Sequence, residues 1–354
     1  MAYTDIDNPS ETAFNTVLYT GNATDNTSIS VGFQPDFTWI KNRVRAGYNN
    51  RLQNSVVGST KSLQSNRTVA EQTNADAVKS FNSDGFVLGT DDGNGSFNKS
   101  GDAFVSWNWK AGTSFTNDAS GTGIGSIDSA GSANTTSGFS IVSYTGTGSA
   151  GSIKHGLTSA PKIMITKSRS GARNWITYTT AIDGSMDYLY LNLTDAKANS
   201  SASVPTSSIV NLTNGAEANA SSENFIMYCF ADVKGYSKFG SYVGNGNADG
   251  TFIYTGFKPA FVMCKASSVG GSVGYAWSMF DNKRSSYNIE RSQLEANTSD
   301  AQQTDASGDI DLLSNGFKFR NSASENNQSG ATYIYMAFAK NPFVTSTGVP
   351  ATAR

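Results

Sequence analysis

Pro35-Asp-Phe-Thr-Trp-Ile-Lys41, Pro161-Lys-Ile-Met-Ile-Thr-Lys167 and Pro259-Ala-Phe-Val-Met-Cys-Lys265 are three versions of one phrase. Each is a proline, a short apolar run, and a lysine six residues after the proline. Each also follows a tyrosine and a glycine turn: Tyr19-Thr-Gly-Asn22, Tyr144-Thr-Gly-Thr-Gly148 and Tyr242-Val-Gly-Asn-Gly246. The tyrosine-to-proline spacing is 16, 17 and 17 residues. A proline fits the first residue of a strand, where its missing N–H can be spared. The runs are apolar on both faces, which predicts central strands covered on two sides. Their lysines read as solvated strand ends.

The units close as they open. Phe104-Val-Ser-Trp-Asn-Trp-Lys110 aligns with Phe225-Ile-Met-Tyr-Cys-Phe-Ala231 and with Tyr333-Ile-Tyr-Met-Ala-Phe-Ala-Lys340. Ser83-Asp-Gly-Phe86 and Ser314-Asn-Gly-Phe317 are near-twins, with only Thr213-Asn-Gly215 in the middle copy. Each unit spans about 100 to 120 residues, the size of a small domain. The expected fold is all-β, with three tandem β-sandwich units of jelly-roll or lectin-like type at residues 14–112, 139–235 and 236–341. An N-terminal arm (1–13), a Gly/Ser/Thr-rich linker (113–138) and an extended C-terminal tail (342–354) complete the chain. The linker composition predicts a loosely tethered first unit. Only ten residues, Phe230 to Phe239, join the closing strand of unit two to the opening strand of unit three, predicting one rigid body there. Turn chemistry with positive-φ residues is expected at Gly21-Asn22, Gly244-Asn-Gly246 and Asn315-Gly316. One amphipathic helical patch is expected at Thr68–Ser80.

Composition agrees. Of 354 residues, 15% are charged and 11% aromatic, enough rings to fill sandwich cores. A formal charge of −2 gives nucleic acid nothing to bind. No stretch approaches the roughly 20 apolar residues of a membrane span. Met1-Ala-Tyr-Thr-Asp-Ile-Asp-Asn-Pro-Ser10 lacks the parts of a signal peptide, so folding in a cytoplasm is expected. Cys229 and Cys264 read as buried reduced thiols. Asn-x-Ser/Thr triplets such as Asn66-Arg-Thr68 and Asn192-Leu-Thr194 read as products of composition.

Catalytic signals are weak. The lone histidine, His155, reads as a turn residue, and Gly270-Gly-Ser-Val-Gly274 as a chance match to a nucleophile elbow. Asp183, Asp187, Glu217, Glu223, Asp300, Asp305, Asp309 and Asp311 follow the loops and nominate no acid/base pair. No catalytic residue, metal site or cofactor is assigned. A structural Ca²⁺ is an option at Asp91-Asp-Gly-Asn-Gly95 or Asp305-Ala-Ser-Gly-Asp-Ile-Asp311. Binding candidates are the aromatics of the variable middle segments, Trp175, Tyr178, Tyr275 and Trp277, with Tyr48 and the loop acids Asp91 and Asp92. Trp175 and Trp277 hold equivalent places, which suits a repeated core anchor as well as a ligand platform.

Val31-Gly-Phe-Gln-Pro-Asp-Phe-Thr-Trp-Ile-Lys-Asn-Arg43, Ser106-Trp-Asn-Trp-Lys-Ala-Gly112, Gly240-Ser-Tyr-Val-Gly-Asn-Gly-Asn-Ala-Asp-Gly250, Tyr254-Thr-Gly-Phe-Lys-Pro-Ala-Phe261 and Asp281-Asn-Lys-Arg284 carry a family likeness. They resemble a family of marine bacteriophage structural proteins of tail-fibre or lectin-like type, over about Phe14 to Arg354. The resemblance implies a non-enzymatic virion component, a tail fibre, spike or receptor-binding part that contacts host-surface glycans. Capsid decoration is the alternative, and a polysaccharide depolymerase a third. Its implied partners are other virion proteins, a host glycan or receptor and further copies of itself, without nucleic acid or membrane insertion. Its implied location is the virion, assembled in the host cytoplasm. The first unit begins by Phe14, so a short spike, fibre tip or head decoration is expected in preference to a long fibre.

Overall fold

Short apolar runs between glycine turns fold as antiparallel strands along the whole chain. The computed structural model describes residues 4–91, 95–271, 275–285 and 287–352. After a one-turn helix, α1 (Pro9–Thr12), the first unit contains β1 (Phe14–Thr20), β2 (Thr27–Ser30), β3 (Phe37–Asn42), β4 (Arg51–Asn54), β5 (Gly58–Leu63), β6 (Gln72–Thr73), β7 (Val78–Asn82), β8 (Gly85–Leu88) and β9 (Ala103–Trp109). They form a large sheet, β1-β9-β3-β4-β5-β6, and a small one, β2-β8-β7. The second unit contains β10 (Thr113–Asn117), α2 (Ala119–Thr122), β11 (Ser129–Asn134), β12 (Phe139–Thr145), β13 (Gly151–Lys154), β14 (Ile163–Ser168), β15 (Ile176–Thr179), β16 (Asp187–Tyr190), β17 (Ala198–Asn199), β18 (Ile209–Leu212), α3 (Ala216–Asn219) and β19 (Asn224–Phe230). Its large sheet runs β10-β11-β12-β19-β14-β15-β16-β17, and its small one pairs β13 with β18. The third unit contains β20 (Ser237–Val243), β21 (Phe252–Tyr254), β22 (Phe257–Ala266), β23 (Ser278–Asp281), β24 (Leu294–Glu295), β25 (Ile310–Leu313), β26 (Gly316–Phe319) and β27 (Thr332–Pro342). Its sheets run β20-β27-β22-β23-β24 and β21-β26-β25.

The apolar runs on both faces have their explanation in this layering. β3, β14 and β22 are buried along their whole length and sit inside their sheets. One face of each large sheet closes its own sandwich, as where Ile40 and Phe104 meet Ile29, Phe86 and Leu88. The opposite faces of all three large sheets share one core, which contains Phe37, Trp109, Phe139, Phe230, Phe261 and Phe338. Pro259 lies within β22 rather than ahead of it, and the register shifts there as a bulge absorbs the missing N–H.

Registers identify matching positions. Trp109 lies opposite Phe14 and Phe37, Phe230 opposite Phe139 and Ile163, and Phe338 opposite Ser237 and Phe261. These three rings form a triangle with centroid separations of 6.2, 5.5 and 5.8 Å. The line through this triangle serves as an axis for describing the common core, with one sandwich supplying each corner. The first unit is not loosely tethered: it supplies one corner.

The tyrosine–glycine phrase pins the far end of each sandwich. Tyr19, Tyr144 and Tyr242 donate their hydroxyls to Phe97 O, Ala218 O and Asn326 O at 2.6, 2.6 and 2.7 Å. The next residues, Asn98, Asn219 and Asn327, are buried, and each accepts a turn N–H at Oδ1, from Asn22, Thr147 and Asn245. Gly246 adopts the expected positive φ, at +65°, whereas Gly316 does not and neither do Gly21 and Gly244. Gly21 and Gly244 are glycines because an added Cβ would lie 2.2 Å from Lys99 O and 2.4 Å from Gln328 O.

Three composition-based expectations fail for physical reasons. Residues 113–138 are not a linker: β10 and β11 extend the second large sheet by pairing with each other and with β12. Small polar residues resemble a flexible linker but also permit close sheet contact. A Cβ at Gly131 would stand 2.0 Å from Ile141 O. The Thr68–Ser80 segment carries no helix and instead supplies β6 and part of β7. The tail, expected to be extended, folds back on itself and onto the N-terminal residues. Ser346 N–H donates to Asp7 Oδ1 at 2.8 Å, Ala351 N–H to Phe343 O at 2.8 Å, and Val344 bridges Pro350.

Candidate binding surfaces

The repeated lysines are not solvated strand ends. Lys41, Lys167 and Lys265 are fully buried. Their ammonium groups donate to backbone carbonyl oxygens, an acceptor shell resembling a partial solvation sphere. Lys41 donates to Tyr48 O and Thr298 O, and Lys265 to Thr194 O, Asp195 O and Ala266 O. Lys167 donates to Ser168 O and Gly171 O. Lys41 thereby ties unit one to unit three, and Lys265 ties unit three to unit two. Burial holds all three ammonium groups down to about 8. Below pH 8 a folded lysine and its unfolded counterpart are both protonated. Above it the folded group sheds its proton while the unfolded one keeps it, so stability rises with pH. Urea midpoints should rise between pH 8 and 9 in wild type and rise less in Lys265→Met. Above that window the buried thiols Cys229 and Cys264, pushed up to about 12, contribute the opposite slope.

Trp175 and Trp277 are core anchors. They are 0% and 1% exposed. Trp175 donates Nε1–H to Gln64 O at 2.8 Å, joining unit two to unit one. Trp277 donates to Tyr190 O at 2.9 Å, joining unit three to unit two. Asn50 occupies the matching place in unit one and donates Nδ2–H to Glu295 O, Ala296 O and Thr298 O, closing unit one on unit three. These three contacts run in the same sense around the axis, and the ring closes head to tail. The backbone N–H of each anchor is held by another asparagine: Asn66 for Asn50, Asn192 for Trp175 and Asn297 for Trp277. Asn66-Arg-Thr68, Asn192-Leu-Thr194 and Asn297-Thr-Ser299 therefore mark one structural position, a signal hidden by the abundance of such triplets. Asn50→Ala should cost about 1–3 kcal/mol in urea unfolding, because Trp39 Nε1–H also loses its acceptor, Asn50 Oδ1.

The other binding candidates divide. Tyr178 is buried among Met164, Met186 and Met227 in the second sandwich. Tyr275 is half-buried and donates its hydroxyl to Gln328 Oε1. Asp92 lies outside the described residues. Asp91 is 5% exposed at φ +58°, and its Oδ2 accepts Phe97 N–H and Asn98 N–H at 2.7 and 2.9 Å. Desolvation raises its pKa. Asp91 thus first serves to pin its own loop. It also borders an open cleft of about 390 Å³ with Tyr48, Thr90, Gly95, Lys99 and Ser100. The Lys99 ammonium sits 6.0 Å from the Tyr48 ring centroid. An aromatic ring, an ammonium and hydroxyls suit non-covalent recognition of a polar ligand.

Apart from the exposed Asp300, the acidic candidates serve as struts or caps. Asp183 and Asp187 share Lys197, Glu223 pairs with Arg173, Asp309 with Arg291 and Asp311 with Arg320. Glu217 accepts Asn174 N–H, and Asp305 caps a 3₁₀ turn at Ser307. His155 is buried: Nδ1 accepts Leu157 N–H and Nε2–H donates to Thr206 O, while burial pushes its pKa down to about 4. That fixes a neutral structural imidazole. Both cysteines are buried free thiols. The Gly270–Gly274 motif falls partly outside the described residues. Among the described residues, no three His, Cys, Asp or Glu side chains gather as a metal site, and no helix is long and apolar enough to cross a membrane.

Fold and surfaces together define an all-β protein of sandwich architecture with open polar clefts. Residues 8–342 match the family model described as a domain of unknown function, DUF7483, and the chain belongs to that family. No curated protein matches the chain.

Proposed function

We propose that the protein is a non-enzymatic bacteriophage virion component, a tail spike or fibre-tip part that contacts glycans on the host surface. The observation that carries this reading is the closed ring of three sandwiches around the Trp109–Phe230–Phe338 triangle. Cyclic arrangements close by repeating one contact around a ring, and here one chain supplies a closed arrangement of three sandwiches by itself. The resemblance of its repeated phrases to those of phage structural proteins supports the same reading. The cleft beside Tyr48 and Lys99 presents an aromatic ring with polar loop groups, which suits polyhydroxyl ligands. The test uses the purified chain displayed multivalently on beads, so that weak contacts add. Beads should bind host cells and competing free protein should slow phage adsorption. Failure of both at saturating density contradicts the attachment role.

A further inference from the structure

Strand β21 carries two exposed rings that the scaffold does not require. Phe252 and Tyr254 are 44% and 58% exposed, on either side of the buried Ile253. Ile253 lies opposite Phe317, as Ile29 lies opposite Phe86 and Ile153 opposite Val210, so the three isoleucines are matching positions. The flanking residues in the sister strands are Ser28 and Ser30 in β2, and Ser152 and Lys154 in β13. Val243, 53% exposed and the acceptor of the Thr251 hydroxyl, likewise stands where the other units have Thr20 and Thr145. Two sandwiches fold with polar residues at all three places. Only the third exposes apolar side chains there, against the ordinary cost of leaving them in water.

The surroundings select the occupant. β21 is an edge strand, paired only with β26. A Cβ at Gly316 would stand 3.0 Å from the Phe252 ring, so a bare backbone step lies beneath that ring. The charges beside it already neutralise one another: Lys318 and Arg320 both pair with Asp249, and Arg320 also meets Asp311. Two cations against two carboxylates give no net attraction for a polyanion or an acidic lipid. Rings two residues apart on one strand face, with polar groups at the rim, fit the alternating C–H and hydroxyl surface of a sugar chain.

We propose that Phe252 and Tyr254 form a binding platform for a neutral oligosaccharide. The inference rests on the attachment reading above and gives it a surface and a ligand class. The test compares the full-length chain with Phe252→Ser/Tyr254→Ser, which installs the sister-unit residues and should leave the melting temperature unchanged. Both are applied to immobilised neutral oligosaccharides of glucose, galactose and N-acetylglucosamine, with uronate oligosaccharides as the acidic control. Wild type should bind at least one neutral probe, and the double variant about tenfold or more weaker, as when interface aromatics are truncated. Equal binding by the two proteins overturns the platform. So does binding to the acidic probes alone, or the absence of neutral binding. A wild-type dimer that the double variant abolishes also overturns it, by assigning the rings to self-association. Retained host-cell binding by the double variant sinks the platform alone; loss of host-cell binding in wild type would sink the attachment reading itself.

Discussion

Trp109→Ala should lower stability by about 3–5 kcal/mol, the range for emptying a fully buried aromatic site. Trp109 is 1% exposed and touches rings from all three units: Phe14 and Phe37 in its own, Phe230 in the second, Phe261 and Phe338 in the third. A cavity there opens at the axis, where no single sheet can collapse to fill it. Trp109→Phe should be far milder, because phenylalanine already occupies the matching positions 230 and 338 and Trp109 Nε1 has no hydrogen-bond partner to lose. Urea unfolding followed by circular dichroism checks both. If Trp109→Ala and Trp109→Phe cost the same small amount, the rings do not form the central packing contact.

Asp281→Ala should be comparably severe. Asp281 and Arg284 have fully buried side chains joined at 2.6 Å. Asp281 also accepts Lys283 N–H, Arg284 N–H and the indole N–H of Trp107, which belongs to the first unit. Removing the carboxylate strands a buried guanidinium stacked 5.6 Å from the Trp107 ring, at an expected cost of about 3–5 kcal/mol. Asp281→Ala/Arg284→Met should recover part of the loss, because no lone charge remains. Asp281→Asn should fall between, since Asn54 holds the matching place in unit one and donates to Tyr228 Oη across the adjoining seam. A double variant no more stable than Asp281→Ala would show that the lost packing, not the stranded charge, sets the cost.

Local patterns in the sequence carried the strand architecture because each expresses a local requirement. The apolar runs after Pro35 and Pro161 had to be covered on both faces, and they are. What covers the second face was not legible, since it is another unit of the same chain. That blindness explains two of the three lysines, Lys41 and Lys265: beside an apolar strand a terminal lysine looks solvated until a neighbouring unit supplies carbonyls, as Thr298 does for Lys41 and Thr194 and Asp195 do for Lys265. It explains Trp175 and Trp277 too, whose indole N–H groups find acceptors more than 80 residues away. Gly131 and its neighbours misled through composition, because small residues mark both loose linkers and tight sheet contacts. The exposure of Phe252 and Tyr254 against polar sister residues was readable only by comparing matched positions, after strand register had located Ile29, Ile153 and Ile253 as one site.

Electron cryomicroscopy of phage particles is the most direct measurement of whether the protein has the proposed virion role. If the proposed function holds, the three-sandwich ring lies at the tail, in a few tens of copies or fewer, with its β21 face directed outward. A coat of the protein spread over the head in hundreds of copies, or virions that lack it altogether, would contradict it.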